Sequence, residues 1–411
     1  MKSILIITPF LPYPIHSGGE QAQYNMINEL RNFYRISMAF PLNQDNHRRD
    51  VSRLAALWPE VKLFPFSFKD QCCSLSFLYR KGVKFINRHF NPFRQNSRVA
   101  QSLDSKDFIV SRKYRKFLDD VISKTSPDII QVEFLPNLNI IDYLPKTIRR
   151  IFIHHEIGFV ITERFLCGIT LTSQQQRRAN ELKTLELERL NHYDAVVTLT
   201  ETDQKILLNA GVERPIFVSP AAVNTKMCEY SGCNGNLIFV GGYHHRPNQE
   251  GIDWFLNSVA PLISWSDFPH TELRIIGLSW PQKYEGIHEG LRVRLLGYVD
   301  DLAPHAAQCI MIVPLQTGSG MRMKILDAAA LSLPLVSTSV GAEGLLFKDG
   351  KSCMIGDTPK EFASKLMEIL TNNELCKSIA QNAHDVYLEH YTSSALVERR
   401  KNIYRELLSV S

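Results

Sequence analysis

The stretch "TGSGMRMKILD" at residues 317–327 combines residue types that bind phosphate. Its two glycines follow a short apolar run at residues 309–315 and precede a helical pattern that we predict to begin near Met321. Arg322 and Lys324 then fall in the first helical turn, where unpaired backbone N–H groups already carry partial positive charge. Two further cations at this point indicate that a negatively charged ligand binds there.

A diphosphate is the ligand that this loop fits best, because it accepts hydrogen bonds from backbone N–H groups, a guanidinium and an ammonium together. The alternative is that Arg322 and Lys324 only extend into water. Asp327 follows Lys324 by one helical turn and either pairs with it or accepts the hydroxyls of a ribose. The spacing leaves both roles of Asp327 open.

Three other short motifs could contribute to a site. Gly18–Gly19 and Gly241–Gly242 each follow an apolar run, but neither matches the dinucleotide pattern G-x-G-x-x-G, and each alone is typical of a tight turn. The third motif is "HHE" at residues 154–156, at the end of another apolar run. His155 is there a candidate for proton transfer, and the alternative is a purely structural histidine.

Short apolar runs alternate with helical patterns along the chain, which predicts an α/β fold with two doubly wound parallel sheets of the Rossmann-like type. Ligands of such sheets bind beyond the carboxyl ends of the strands. The predicted strands are residues 3–8, 35–40, 128–133, 150–155, 194–199, 214–219, 236–241, 272–277, 292–298, 309–314 and 333–338.

A polar stretch without periodicity, residues 220–236, separates the two sets of strands. We therefore predict an N-terminal domain over residues 1–219 and a C-terminal domain over residues 220–393. Residues 394–411 have a helical pattern with an apolar stripe, and we expect this helix to pack back onto the N-terminal domain.

Composition narrows the class of protein. The 411 residues have a net charge of +5 and no apolar run long enough to span a membrane. The eight cysteines show no metal-like spacing, which favours reduced thiols in a cytoplasmic protein.

Residues 80–116 hold eleven Lys and Arg against Asp104 and Asp107. This patch suits an anionic membrane surface, which would place the protein peripherally at the inner face of the membrane. The alternatives are a solvated flap or nucleic acid, and nucleic acid is not expected because no recognition module accompanies the patch.

The segment at residues 293–345 resembles the donor-binding half of retaining glycosyltransferases of family 4, which have the GT-B fold. Further segments agree in order and spacing, so that the resemblance covers essentially the whole chain: residues 9–19, 127–134, 153–159, 194–207 and 239–255. It implies a glycosyltransferase of the hexosyltransferase type, with two Rossmann-like domains facing across a cleft. The C-terminal domain would bind a nucleotide-diphosphate sugar, and the N-terminal domain a sugar or lipid-linked acceptor for surface polysaccharide or glycolipid synthesis.

The resemblance also assigns roles to residues. The family has a Glu-x7-Glu pattern whose second Glu holds the ribose and whose first contacts the donor sugar; here Asp327 and Ser319 take these positions. Arg322 and Lys324 correspond to the basic pair at the diphosphate. His155 and Glu156 resemble the histidine and acid near the reacting sugar. These four, His155, Glu156, Arg322 and Lys324, are the predicted catalytic residues.

The remaining assignments concern the donor. Tyr298 and Val299 match the loop at the nucleobase, and Gly18 and Gly19 match the N-terminal loop that approaches phosphate and acceptor. The predicted donor-binding residues are Gly18, Gly19, Gly242, Tyr298, Val299, Ser319, Gly320, Met321 and Asp327. Because the chain has no Asp-x-Asp pair, we expect no metal ion and no cofactor besides the donor. The alternatives are a sugar-nucleotide epimerase or hydrolase, or a binding protein without transfer activity, on the same scaffold.

Overall fold

The computed structural model describes residues 1–42, 47–67, 103, 110–221, 223 and 226–409. Their strands form two sheets of seven strands each. The strands of the first sheet are β1 (Ser3–Ile7), β2 (Arg35–Leu42), β3 (Lys62–Ser67), β4 (Ile129–Glu133), β5 (Arg149–His154), β6 (Ala195–Thr198) and β7 (Ile216–Val218). Those of the second are β8 (Leu237–Val240), β9 (Glu272–Ile276), β10 (Gly286–His288), β11 (Leu291–Gly297), β12 (Ile310–Val313), β13 (Leu335–Ser337) and β14 (Met354–Ile355).

Both sheets are doubly wound, as predicted. The first has the order β3-β2-β1-β4-β5-β6-β7 with parallel pairing throughout. The second has the order β10-β11-β9-β8-β12-β13-β14, and only β10 pairs antiparallel. All eleven predicted strands are present. Three were missed: β10 and β14 are too short for a periodic signal, and β3 is an edge strand interrupted by a proline.

Helices cover both faces of each sheet. The α-helices among the described residues are α1 (Gly18–Leu30), α2 (His47–Leu57), α3 (Arg112–Thr125), α4 (Gly158–Leu166), α5 (Ser173–Leu190), α6 (Glu201–Asn209), α7 (Arg246–Trp254), α8 (Ala303–Ala306), α9 (Met323–Ala330), α10 (Ser339–Ala342), α11 (Pro359–Thr371), α12 (Asn373–His390) and α13 (Ser393–Ser409). A 3-10 helix, Leu135–Tyr143, follows β4.

Strand β1 shows why the sheets are covered on both sides. Ile4 and Ile6 are buried in one apolar cluster, and Leu5 and Ile7 are buried in another. Successive side chains of a strand point to opposite faces, so a strand that is apolar at every position needs helices above and below it. This arrangement leaves the strand ends as the places where polar side chains of the sheet can gather.

The last helix, α13, returns to the first sheet. It packs against α1, Tyr404 hydrogen-bonds to Gln131 of β4, and Arg400 Nε donates to Ser219 Oγ at 3.1 Å. Residues 410 and 411 lie outside the described residues. The chain passes from the first sheet to the second between Val218 and Leu237, and the domain limits proposed from the sequence stay a prediction.

Two surface features bear on the membrane hypothesis. In the described ranges no helix combines the length and apolarity that a membrane span requires. Most of the basic patch at residues 80–116 falls outside those ranges, which contain only Leu103 and residues 110–116 of it. Within α3, Arg112, Lys113, Arg115 and Lys116 are exposed, whereas Tyr114 is buried.

Candidate active site

The glycine-rich loop leaves the carboxyl end of β12 and leads into α9. This helix begins at Met323, two residues later than predicted, so Arg322 precedes it as the N-cap residue with φ −90° and ψ 88°. The prediction that Arg322 lies in the first turn was wrong. Gly318 and Gly320 have φ of 123° and 76°, values that favour glycine, and the chain therefore turns through residue 320 before it can become helical.

Arg322 is buried, with 7% of its surface exposed, and does not extend into water. Its Nη1 donates to the carbonyl oxygens of Ser319 and Gly320. Within the described part of the chain, its Nε and Nη2 have no hydrogen-bond partner. Burial lowers the pKa of the guanidinium, and the charge of Glu343 opposes that shift. A buried cation with two unmatched donors is costly unless an anion completes it.

Lys324 lies in the first turn of α9. Its Nζ donates to Asn248 Oδ1 at 2.8 Å and sits 4.7 Å from the centre of the Phe239 ring. Burial, together with the charge of Arg322, lowers the pKa of this ammonium to about 7. The charge of Asp327 acts on Lys324 and opposes this shift. The buried carboxylate of Asp327 also accepts a hydrogen bond from Gln21 Nε2 at 2.9 Å, across the cleft between the two sheets.

His155 comes directly after β5, on the opposite wall of this cleft. Its Nε2 lies 3.0 Å from Oε2 of Glu133, the last residue of β4. Its ring stacks on Phe134 with 3.8 Å between the ring centres and 7° between the planes. Phe134 has a positive φ of 67°, an unusual value for a bulky residue. The strand ends thus hold the imidazole both at its edge and on its face.

The carboxyl group of Glu133 is completely buried, which by itself would raise its pKa. The hydrogen bonds from His155 and Gln131 and the positive charge of Arg400 outweigh burial, and the pKa of Glu133 lies below its ordinary value. Glu133 is therefore ionised at neutral pH. It was not predicted as a site residue, although its position at a strand end beside His155 was a usable signal.

The two walls touch through the glycine-rich loop. A Cβ on Gly320 would lie 2.1 Å from the carbonyl oxygen of His155, so only glycine allows this approach. Ser319 Oγ accepts a hydrogen bond from the backbone N–H of Ile157 at 3.1 Å. Glu156 lies beside Gly320, and its charge acts on Arg322. Residues predicted from distant parts of the sequence are thus brought together around this loop.

The N-terminal glycines reach the same place. A Cβ on Gly18 would lie 3.2 Å from Met323, and a Cβ on Gly19 would lie 3.2 Å from the Phe134 ring. Both glycines therefore lie at the meeting point of α1, α9 and the end of β4. A side chain at either position would force these neighbours apart.

The remaining predicted residues lie farther out. Tyr298 is 39% exposed and contacts His16 edge-on, with 5.0 Å between the ring centres. Val299 packs partly buried against the core. Met321 turns away from the loop, and its Sδ accepts from Ala221 N at 3.2 Å in the stretch between the sheets. None of these contacts tests a role in donor binding.

Gly242 is linked to the cationic loop through Asn248, which was left out of the predicted donor-binding set. Asn248 Nδ2 donates to the Gly242 carbonyl oxygen at 2.9 Å, while its Oδ1 accepts from Lys324. Arg164 was also missed: it donates to the Gly318 carbonyl oxygen and pairs with Glu343 at 2.5 Å. No spacing in the sequence could have indicated these partners, because each is more than 70 residues away.

Part of the chain matches a known family of enzymes. Residues 234–372, the part that contains the glycine-rich loop, match the family model of glycosyl transferases group 1. An uncharacterized 44.6 kDa protein in the cps region of Klebsiella pneumoniae is 31% identical over 169 residues, which are 39% of this chain and 43% of that protein. The chain spans about half or less of the curated relatives that it matches.

Solved structures share the whole fold at low identity. Sucrose-phosphate synthase from Thermosynechococcus elongatus is 13% identical, with a TM-score of 0.69 and complete coverage of both chains. Anabaena HepE, in complex with UDP and glucose, is 11% identical, with a TM-score of 0.66 over 99% of this chain and 100% of that one. The chain thus has the GT-B fold of glycosyltransferases, and its residues 234–372 are similar to the group 1 enzymes.

Proposed function

We propose that this protein is a retaining glycosyltransferase of family 4. It would move a sugar from a nucleotide-diphosphate sugar to an acceptor hydroxyl. The observation that carries this proposal is the buried guanidinium of Arg322, which has two unmatched donors in a glycine-rich loop that contacts His155. A diphosphate would match those donors, and the match of residues 234–372 to the group 1 model favours a sugar nucleotide as its source.

In the proposed reaction, the protein would stabilise the negative charge that develops on the leaving diphosphate. The bond between the anomeric carbon and the diphosphate oxygen breaks, and the acceptor oxygen forms the new bond to that carbon on the same face of the sugar. Arg322, Lys324 and the N–H groups that begin α9 would neutralise the charge that grows on the leaving diphosphate. In this proposal they do so without a metal ion. His155 and Glu156 would lie near the reacting sugar, with His155 handling the proton that the acceptor loses.

Donor recognition would use the second sheet. Asp327 would accept the ribose hydroxyls, with Gln21 as its partner while no donor is bound. Tyr298 and Val299 would line the nucleobase. Ser319 replaces a carboxylate of the family pattern and binds the Ile157 N–H, so the donor sugar would be contacted by other groups.

The same replacement favours a second candidate function. A protein that lacks this carboxylate could bind or hydrolyse a sugar nucleotide without transferring the sugar. Product analysis separates the two functions, because transfer gives a glycosylated acceptor, hydrolysis gives free sugar, and binding gives neither.

The test is a thermal-shift screen with nucleoside diphosphates and their sugars, followed by mass spectrometry of the products made with the best ligand. UDP and UDP-glucose are the first probes, since HepE was solved with UDP and glucose. We expect stabilisation by a nucleoside diphosphate and formation of nucleoside diphosphate only together with a glycosylated product. A protein that no nucleotide stabilises would overturn the proposal.

The acceptor and the location also remain proposals. We propose a sugar or lipid-linked sugar acceptor of surface polysaccharide or glycolipid synthesis, bound on the N-terminal side of the cleft. The basic patch at residues 80–116 would then hold the protein at the inner face of the membrane, where such an acceptor is anchored.

A further inference from the structure

A chain of buried hydrogen bonds leads from the last helix to His155. Tyr404 of α13 donates its hydroxyl to Gln131 Oε1, and Gln131 Nε2 donates to Glu133 Oε1 at 2.5 Å. Glu133 Oε2 then lies 3.0 Å from His155 Nε2. Tyr404, Gln131 and Glu133 are all buried, so water does not compete for these bonds. The chain runs through the interior of the first sheet and ends at the cleft.

We propose that Glu133 is a positioning residue for His155, and that α13 holds Glu133 in place through Tyr404 and Gln131. The structural part of this inference stands on the contacts alone. Its catalytic consequence rests on the proposed function, in which His155 handles a proton.

The direction of each bond fixes the next one. Because the Tyr404 hydroxyl donates to the amide oxygen of Gln131, the amide nitrogen is left to donate to Glu133. An ionised carboxylate only accepts hydrogen bonds, so His155 must carry its proton on Nε2 in order to donate to Glu133. The neutral imidazole then has no proton on Nδ1. This nitrogen makes no hydrogen bond to any described residue and is available to accept a proton.

The same helix supplies a counter-charge. Arg400 of α13 is buried and donates from Nε to Ser219 Oγ at 3.1 Å. Its positive charge lowers the pKa of Glu133. A buried carboxylate without a cation would take up a proton, and a protonated Glu133 could donate to His155 and reverse the preferred tautomer. Arg400 and His155 together keep Glu133 ionised. Helix α13 thus contributes both a hydrogen bond and a charge to the arrangement.

The neighbouring histidine provides an internal comparison. His154 Nε2 lies 3.1 Å from Glu186 Oε1 and is also buried. Glu186, however, accepts from the backbone N–H groups of Gly158 and Phe159, so it mainly caps the start of α4. The glycine-rich loop approaches His155 and not His154. Two adjacent residues therefore form histidine–glutamate pairs, and only one of them is at the cleft.

The test is the tautomer of His155, measured on the whole protein labelled with 15N-histidine by long-range 1H–15N correlation at neutral to alkaline pH. His155→Ala identifies the resonance. We expect the Nε2–H form in the wild type and a mixture of both tautomers in Glu133→Gln. Tyr404→Phe should shift the population in the same direction by a smaller amount.

Tyr193→Phe is the matched control for Tyr404→Phe. Tyr193, which precedes β6, is likewise buried, and its hydroxyl donates to the Leu138 carbonyl oxygen at 3.1 Å. This variant should leave the His155 resonance unchanged. If Glu133→Gln does not fold, Gln131→Met interrupts the same chain one bond earlier and takes its place. A wild type with the proton on Nδ1, or a resonance that none of these variants moves, would overturn the inference.

Kinetics give the second readout. Glu133→Gln should lower kcat roughly tenfold or more while KM for the donor changes little, as expected for a group that acts through another residue. Tyr404→Phe should lower kcat by a few fold, and Tyr193→Phe should not. A protein with the expected tautomers but no transfer activity would refute the proposed function and leave the positioning role intact. Unchanged kcat in Glu133→Gln would overturn the catalytic consequence.

Discussion

The first sheet places His155 at the cleft and the second places Arg322 and Lys324 there, and the two walls surround their charges differently. His155 is paired with an ionised Glu133, which a buried chain of hydrogen bonds supports. Arg322 has two buried donors that find no partner among the described residues, and burial lowers the pKa of Lys324 to about 7. The polar groups of the first wall are matched in the free protein, whereas in the proposed function those of the second wall would be matched by a bound anion.

This difference separates two tasks. A wall whose polar groups are satisfied keeps one geometry, which suits a group that must meet a reacting atom. Uncompensated positive charge in a wall lowers the stability of the protein but raises its affinity for an anion. The gain is largest for an anion whose charge grows during the reaction. The predictions below test this division of roles, from the largest expected effect to the smallest.

Arg322→Met should abolish most of the activity. The loss of a guanidinium that contacts the leaving diphosphate should lower turnover by roughly a hundredfold to a thousandfold and weaken nucleoside diphosphate binding by at least about tenfold. The free energy of unfolding should change little, because two effects offset each other. The variant loses the hydrogen bonds to two loop carbonyls, but it no longer buries two donors without partners. The measurements are initial rates, calorimetric titration with UDP, and denaturation without ligand.

The control for that variant is Arg274→Met. Arg274 of β9 pairs with Glu272 at 2.7 Å and donates to the carbonyl oxygen of His305, which precedes β12, whereas the glycine-rich loop follows β12. Its replacement should leave nucleotide binding unchanged. A strongly destabilised Arg322→Met that still binds nucleotide normally would mean that this arginine serves the fold and not the ligand.

His155→Ala should lower turnover by about a hundredfold, as the loss of a group that handles a proton does. Binding of the nucleoside diphosphate should hardly change, because the second sheet provides the cations. Turnover and UDP titration measure the two effects, and replacement of the exposed His192 by alanine serves as the control. Normal turnover in His155→Ala would contradict the proposed division of roles between the two walls.

In the proposed function, Lys324 should make nucleotide binding depend on pH. With a pKa of about 7, most of its ammonium is deprotonated at pH 8 in the free protein, and a bound diphosphate would restore the proton. We expect uptake of close to one proton at pH 8 and much less at pH 6. Titration in buffers with different ionisation enthalpies measures it. The uptake should vanish in Lys324→Met, and its persistence there would assign it to another group.

The lowered pKa of Lys324 also makes the stability of the folded protein depend on pH. The folded pKa of about 7 is below the unfolded value of 10.5, so the unfolded chain binds more protons between these two pH values. The contribution of Lys324 to stability therefore becomes more favourable as pH rises through this window, and its cost is fully present below pH 7. Lys324→Met should raise the free energy of unfolding at pH 7 by on the order of 1 to 3 kcal/mol. Equal stability of the two proteins at pH 7 would contradict the shift.

The smallest expected effect on the cleft itself concerns the surface that would bring an acceptor to the first wall. Replacing Arg112, Lys113, Arg115 and Lys116 by alanine should weaken pelleting with vesicles of anionic phospholipid, by roughly 1 kcal/mol per residue at low salt. Binding of the wild type should decline as salt screens the charges. Replacing the exposed Lys360 of α11 and the exposed Lys377 of α12 is the control. A wild type that ignores anionic vesicles at low salt would leave the patch as a solvated surface.

Much of the architecture could be read from the chain. Apolar runs such as residues 3–8 and 309–314 bury side chains on both faces, and this pattern suffices to predict strands of doubly wound sheets. The short strand β14 and the exposed strand β10 were missed because two or three residues carry no period. The glycine-rich loop was also visible, since glycines and cations at the start of a helix form a local pattern.

The partners of these residues were decided by the tertiary structure. The sequence indicated Arg322 and Lys324 but not the burial that leaves one with unmatched donors and lowers the pKa of the other. It indicated His155 but not Glu133, which is brought beside it because adjacent parallel strands end at the same edge. Local patterns determine which residues can bind or react, because they depend on neighbours along the chain. Protonation and hydrogen bonding depend on neighbours in space, and folding alone brings those together.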